Sequence, residues 1–428
     1  MRNRSLLAVA LIASATRYTA AQQVRKLTLA EAEDAAIRNH PRLSSASLSA
    51  EAARSAVTES RSALLPTLTS NFTSVEAEHS STLSVGAIQT SSLYSRVAVG
   101  VGISQLITDF GRTSNLVDSA KLRAAASGKN VVATRAGIRV TVDQAYYRAL
   151  AANSVLRVAQ AVLENRRLTL RQVQALAQSS LKSTLDVSFA EVAVSDAELA
   201  LVRAENDVQA ASAHLSSAMG SERAESFELT DEPLPSALGS DTELYVANAI
   251  RQRPDLAALQ LARDSAQRFA DAERALSHPA ISAVGVAGAL PVTDPRLKQT
   301  YSAAGVNVSV PIFNGHLFAA RHTEAELRAE AASKDVADLA IQVSDQVRTA
   351  WLEANTAFRR LDVTARLVAE AAQALRLART RYDIGLGSIV ELNQAQLSEV
   401  SAQIAAANAK YDYLSRRAAL DFVTGVIQ

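Results

Sequence analysis

The clearest pattern along the chain is a run of apolar residues spaced alternately four and three apart. It comprises Val336, Ala340, Val343, Val347, Ala350, Ala354, Ala357, Leu361, Thr364, Val368, Ala371, Leu375, Ala378 and Tyr382, and only Thr364 departs from it. A sustained seven-residue repeat predicts a helix in left-handed coiled-coil packing. Residues 316–383 contain neither Pro nor Gly. They predict one unbroken helix, about 100 Å long at 1.5 Å per residue. A flanking row, Ala337, Trp351, Phe358, Ala365 and Ala372, widens the stripe. A wide stripe suits a helix with a neighbour on each side better than one in a simple pair. Stepping back 205 residues finds the same row, from Val131 through Ile138, Val142, Ala149, Leu156 and Leu163 to Val173. It lies in a Pro-free stretch, 113–179, and Arg135 and Arg166 interrupt it.

That correspondence extends along the chain. Ala36-Ile37-Arg38-Asn39-His40-Pro41 resembles Ala249-Ile250-Arg251-Gln252-Arg253-Pro254 at an offset of 213, and Leu122-Arg123-Ala124 matches Leu327-Arg328-Ala329 at 205. The lost residues belong in a loop between Pro279 and Leu327. Each copy begins with an Ala-rich amphipathic stretch, 30–64 or 243–277, closed by Pro66 or Pro279. Extended chain follows. Val97, Val99, Val101 and Ile103 alternate with small residues, as do Val306, Val308, Val310 and Ile312. Period two with one apolar face predicts strands, four in all. After the long helix the chain breaks at Ser179-Ser180 or Gly385-Leu386-Gly387, and a second helix returns over 184–219 or 388–424. Gly220 and Gly425 stand where glycine stops helices. The expected organisation is a signal peptide at 1–21, a first repeat at 22–228, a linker at 229–241 and a second repeat at 242–428.

The signal-peptide expectation rests on Arg2 and Arg4, the apolar run Leu6 to Ala13, and the small residues Thr19-Ala20-Ala21. Composition narrows the function. Lys plus Arg is 44 against 43 Asp plus Glu, so no basic excess favours nucleic acid. Cys is 0, which removes thiol chemistry and disulfides. The six His are scattered, and no nucleotide loop, nucleophile elbow or dinucleotide fingerprint occurs. The expectation is a chain without cofactor, metal or enzymatic activity. Four strands do not close a cylinder, and open sheet edges are not tolerated in lipid. A membrane-spanning role therefore requires several copies. The competing reading is a sheet packed on one face, in a periplasmic coiled-coil structural or adaptor-like protein that never spans the membrane.

Four motifs in order within this duplication carry a family resemblance. They are the opening Leu27-Thr28-Leu29-Ala30-Glu31-Ala32 with Asn39-His40-Pro41, echoed at Arg253-Pro254-Asp255; Asp109-Phe110-Gly111-Arg112; Pro311-Ile312-Phe313-Asn314-Gly315; and Arg381-Tyr382-Asp383-Ile384-Gly385-Leu386-Gly387-Ser388 followed by Glu391. The chain resembles TolC-type outer-membrane efflux proteins over essentially all of its mature length. The resemblance implies a mainly α fold with a membrane β-barrel part. Its duplicated strand–long-helix halves would form, in a homotrimer, a 12-stranded barrel continued by a long α-helical coiled-coil tunnel. It implies an outer-membrane location with a periplasmic extension, contact with outer-membrane lipid, and a passive exit duct for an efflux pump or type I secretion system. The implied partners are a periplasmic adaptor protein and an inner-membrane pump or ABC exporter. By position, the resemblance assigns a periplasmic gate to Tyr382, Glu391 and Asp186. It assigns adaptor docking to the tips Gly385, Leu386, Ser388, Ser180, Leu181 and Ser183. Gly387 and Gln394 depart from the family pattern of a gate Arg and a second acid.

Overall fold

A computed structural model describes residues 25–76, 84–85, 88–89, 96–223, 225, 227–289 and 298–427; the expected signal peptide lies outside the described residues. The described residues begin with β1 (Arg25–Leu27), α1 (Leu29–Asn39), α2 (Pro41–Ser62) and β2 (Thr67–Val75). A two-residue pair, β3 (Ser84–Val85) and β4 (Ile88–Gln89), precedes β5 (Arg96–Thr108). Then come α3 (Arg112–Gln178), α4 (Thr184–Ala218) and β6 (Phe227–Leu229). The order repeats as α5 (Thr242–Gln252), α6 (Pro254–Arg274), β7 (Ala280–Ala289), β8 (Thr300–Ser309), α7 (Leu317–Asp383) and α8 (Ile389–Val423). The two long helices have 67 residues each and the two return helices 35 each.

The heptad rows face inward as the spacing predicts. Every residue of the row from Val336 to Tyr382 is buried or half-buried, and so is its counterpart in α3. The flanking row divides: Trp351 and Phe358 are covered, whereas Ala337 and Ala365 are exposed on this chain. The helices form one layer. α3 packs on α4 and on α8, and α8 packs on α7, so α4 and α7 are the outer members. Against the upper part of this layer lie α1, α2, α5 and α6.

Three details differ from the sequence expectation. The stretches 30–64 and 243–277 are not single helices. Each is broken by a Pro, at His40-Pro41 and Arg253-Pro254, because a residue preceding Pro is excluded from the helical region and His40 and Arg253 sit at ψ 121 and 122. Each Pro then becomes the first residue of the next helix, where its missing N–H costs nothing. The alternation ending in Val310 and Ile312 overruns the strand. β8 stops at Ser309, since Pro311 has no N–H for a ladder. The third is the parallel pair β1–β6, which no period-two signal marks because each strand has only three residues.

The duplication is visible in contacts as well as in order. Gly220 and Gly425 both adopt φ near +78, ending α4 and α8. An added Cβ at Gly220 would lie 2.9 Å from the His40 backbone, and one at Gly425 would lie 3.1 Å from the Gln252 backbone. The same glycine in each repeat therefore seats the same Pro-kinked corner. Tyr146 and Trp351, also 205 apart, both bind the 229–241 segment. The Tyr146 hydroxyl donates to Leu27 O and Thr230 O, and the Trp351 indole N–H donates to Gly239 O at 3.0 Å. Tyr413 adds a bond to Ser236 O. The segment is thus tied to α3, α7 and α8 at one level.

Candidate functional site: an open sheet and two hairpin tips

At one end of the helix layer, β2, β5, β7 and β8 form a single antiparallel sheet in that order. Among the described residues the outer edges of β2 and β8 are unpaired. The strands are 9 to 13 residues long. A tilted strand crossing a bilayer needs about 9–11. Cross-strand register places Leu68 beside Ile103, Phe72 beside Val99 and Val101 beside Ala287 on one face, with Val306 and Val308 continuing it. Phe72, Leu68, Val306 and Val308 are exposed there. The other face carries Thr69, Asn71, Thr73, Ser104, Tyr301 and Asn307 beside Gly100, Gly102, Val284 and Val286. Tyr301 lies flat across that face. A Cβ at Gly288 would come within 2.5 Å of its ring, so glycine is required beneath it. The exposed apolar side chains of the first face suit lipid contact, and the hydroxyls and amides of the second suit water.

Strand passes to helix through two consecutive left-handed residues in each repeat, Phe110-Gly111 and Gly315-His316. In the first repeat Asp109 secures the turn. Its Oδ2 accepts from the Thr113 N–H at 2.8 Å and from the Thr113 hydroxyl. This is the physical content of the Asp109-Phe110-Gly111-Arg112 motif.

At the far end are the two tips. Both helices close with the same reversal. Ser180 and Gly385 take φ of 58 and 78, Leu181 N–H donates to Leu176 O, and Leu386 N–H donates to Arg381 O. This six-to-one bond is the usual close of a helix with a left-handed residue after its end. Leu181 and Leu386 project from the two turns, 69% and 70% exposed. Ser183 caps α4 and Ser388 caps α8. The docking residues of the sequence analysis thus sit together at one end of the molecule.

Of the residues that the resemblance assigns to a gate, the two acids have local partners in this single chain. Asp186 Oδ2 accepts from Ser183 N–H at 3.1 Å in a capping box. The Glu391 carboxylate lies 3.2 Å from Arg381 Nε, and Arg381 also donates to Leu386 O. Tyr382 is 4% exposed, packed with Val173, Ile389 and Leu392. Burial pushes its hydroxyl pKa up, and the nearby Asp186 and Asp383 carboxylates push it the same way. That hydroxyl is buried without a hydrogen-bond partner. Gly387 leaves the Arg381–Tyr382 backbone uncrowded, since a Cβ there would lie 3.2 Å from Arg381 Cβ and Tyr382 N.

Two contacts at the tips were not read from the sequence. Arg381 is the ion-pair partner of Glu391. Lys182 places Nζ 3.7 Å from the centre of the Tyr382 ring and 3.3 Å from Tyr382 O. The only available signal was Lys182 standing 205 residues before Gly387, a cation opposite a glycine in otherwise matching tips. Higher on α3, Arg166 interrupts the heptad row yet is buried. Asn393 and Gln396 of α8 accept from it, which explains how the seam tolerates a cation. Among the described residues no helix is long and apolar enough to cross a membrane, and no cluster of His, Asp and Glu has the makings of a metal site.

Comparison with known proteins agrees with this geometry. The sequence profile of the outer membrane efflux protein family matches residues 32–221 and 245–426, one block in each repeat. Outer membrane protein TolC of Vibrio cholerae is 27% identical over 412 residues, covering 94% of this chain and 92% of its own length. The alkaline protease secretion protein AprF of Pseudomonas aeruginosa is 28% identical over 184 residues, 42% of this chain and 38% of its own length. The crystal structure of the outer membrane protein VceC of Vibrio cholerae shares the fold, with a TM-score of 0.82 at 20% identity over 93% of this chain and 96% of that one. The duplicated sheet-and-hairpin architecture and the profile spanning both repeats lead to one assignment: this chain belongs to the outer membrane efflux protein family, and its place is that of an outer-membrane channel.

Proposed function

We propose that three copies of this chain join sheet edges into one twelve-stranded barrel and helix edges into one tunnel, giving a passive exit duct. The observation that carries this reading is the four-stranded sheet with unpaired outer strands β2 and β8 and an exposed apolar face. Unpaired backbone groups in hydrocarbon each cost several kcal/mol, about 2–7 per amide on transfer scales, so the edges must be joined. The outer helices α4 and α7 favour the same arrangement. α4 carries Leu185, Phe189, Val192, Leu199 and Val202 exposed, and α7 carries Ile341, Leu352, Val363 and Leu377 exposed. One copy's α4 against the next copy's α7 would cover both. In this assembly the 22–228 and 242–428 repeats are pseudo-equivalent units joined by 229–241.

At the tips, three-fold repetition would gather the Asp186, Glu391 and Tyr382 positions around one axis as a gate. Rings of carboxylates repel one another and select by charge. The orphaned Tyr382 hydroxyl supports this reading, since a neighbouring copy offers it a partner. The exposed Leu181 and Leu386, with Ser180, Ser183, Gly385 and Ser388 beside them, suit a periplasmic adaptor. An inner-membrane pump or ABC exporter would supply energy from beyond that adaptor. Efflux fits the family, and secretion fits the kinship with AprF.

Membrane fractionation and detergent purification test the assembly. The expected result is recovery in the outer membrane as a trimer. A monodisperse folded monomer in detergent, or recovery only in soluble periplasm, would reject it in favour of a non-spanning periplasmic protein. For the gate, Asp186→Ala with Glu391→Ala is expected to raise single-channel conductance in planar bilayers; unchanged conductance removes the two acids from the gate.

A further inference from the structure

We infer that Lys182 is the latch that holds the two hairpin tips of each chain together and so sets the closed state of the mouth. This rests on the gate reading above. The acids of that reading are each engaged within their own hairpin, Asp186 with Ser183 and Glu391 with Arg381. Lys182 is different. It lies on the turn between α3 and α4, and its contacts are on the end of α7.

Three attractions converge on its ammonium group. The ring of Tyr382 lies 3.7 Å beneath Nζ, well inside the range of a cation–π contact. The carbonyl of Tyr382, in the last turn of α7, accepts from Nζ at 3.3 Å. That carbonyl also accepts from the Gly385 N–H at 3.1 Å, and as a last-turn carbonyl it carries part of the negative end of the helix dipole. The aromatic platform is fixed as well, because Tyr382 is packed among Val173, Ile389 and Leu392. Lys182 itself is half-buried, so its stem is already ordered.

For the mouth to widen by separation of the hairpins, Lys182 must leave Tyr382 and the apolar cluster must open. The second repeat has no equivalent. The matching position is Gly387, where a Cβ would press on Arg381 and the Tyr382 backbone. Each chain therefore has one latch, directed from the first tip to the second. In a trimer this makes three latches around the mouth, each within its own chain and independent of contacts between copies.

The test uses the full-length channel reconstituted in planar lipid bilayers. Lys182→Met is expected to raise the open fraction about fivefold, in line with a cation–π contact that is only partly shielded from water. Lys182→Arg should stay within about twofold of the parent, since the guanidinium keeps the ring contact. Lys182→Gln, which keeps a donor for the carbonyl but loses the charge, should fall between Lys182→Met and the parent. Tyr382→Leu should open the channel as Lys182→Met does, and combining the two should add nothing. A parent-like Lys182→Met alongside an opened Asp186→Ala, Glu391→Ala channel overturns the latch and leaves the gate standing. An opened Lys182→Met with unchanged acid variants upholds the latch and removes the acids. If neither opens, both the latch and the gate fall.

Discussion

The tips of the α3–α4 and α7–α8 hairpins are near copies in backbone and opposites in chemistry. Each reverses through a left-handed residue, each presents a leucine exposed by about 70%, and each starts its return helix on a serine cap. Yet the first uses Ser180 where the second uses Gly385, and Lys182 where the second uses Gly387. The duplication thus preserved what the turn needs, a residue that tolerates positive φ and a cap. It left free what the turn does not need, the side chain two positions beyond the reversal. Function settled in that freedom: one tip reaches out with a cation and the other receives it on Tyr382. The paired helices show the same division. Asp143 of α3 is buried, while Arg348, its counterpart in α7, is exposed and pairs with Glu243.

The largest test of equivalence is in the core behind the hairpins. Leu215 and Leu420 occupy matching positions at the ends of α4 and α8, and both are fully buried. Leu215→Ala and Leu420→Ala are each expected to cost about 2–5 kcal/mol in thermal or denaturant unfolding. Costs that differ by more than this range would break the structural equivalence of the repeats. A smaller effect distinguishes the turns. Gly385→Ala places a Cβ in the left-handed region and should cost about 1–2 kcal/mol. Ser180→Gly relieves the corresponding strain in the first tip and should be neutral or stabilising by a few tenths of a kcal/mol, the cost of glycine's extra entropy offsetting part of the gain. Matching destabilisation by both changes would show that the two reversals are not alike in solution.

The smallest effect at acidic pH, growing as pH rises, concerns Asp143. Burial raises its pKa from 3.8 to about 8, and the Glu33 carboxylate of α1 adds to the rise. Arg139, on its own helix and 3.6 Å from Glu33, acts in the opposite direction, while Asp421 of α8 reinforces the rise. A raised folded-state pKa means that the native chain holds a proton the unfolded chain has released. The associated stability is complete below pH 3.8 and is lost as pH climbs through the folded value. Asp143→Asn should match the parent near pH 4, then exceed it increasingly towards pH 8 in melting temperature. An identical pH profile for the two would show that Asp143 is not held neutral.

Much of this was legible in the residues. The heptad row from Val336 to Tyr382 marked a buried seam, and the structure buries or half-buries every member of it. The Gly and Pro punctuation placed α7 within a residue or two of where it runs, and the matching Ser179-Ser180 break did the same for the end of α3. Glycine and proline act through their own backbone, so their signals need no partner. The short β1–β6 pair was not legible, because three residues make no period.

The chain alone therefore determined the long and return helices, the four strands of the large sheet, the duplication and the positions of both tips. Each follows from spacing and backbone restriction within one segment, which linear order contains in full. Only the tertiary structure decided that α8 of the second repeat lies beside α3 of the first, and that β5 and β7 are the inner strands. It alone brought Lys182 onto a ring 200 residues away in sequence. Those outcomes depend on which faces meet, and a contact between distant segments leaves no mark in the period of either one.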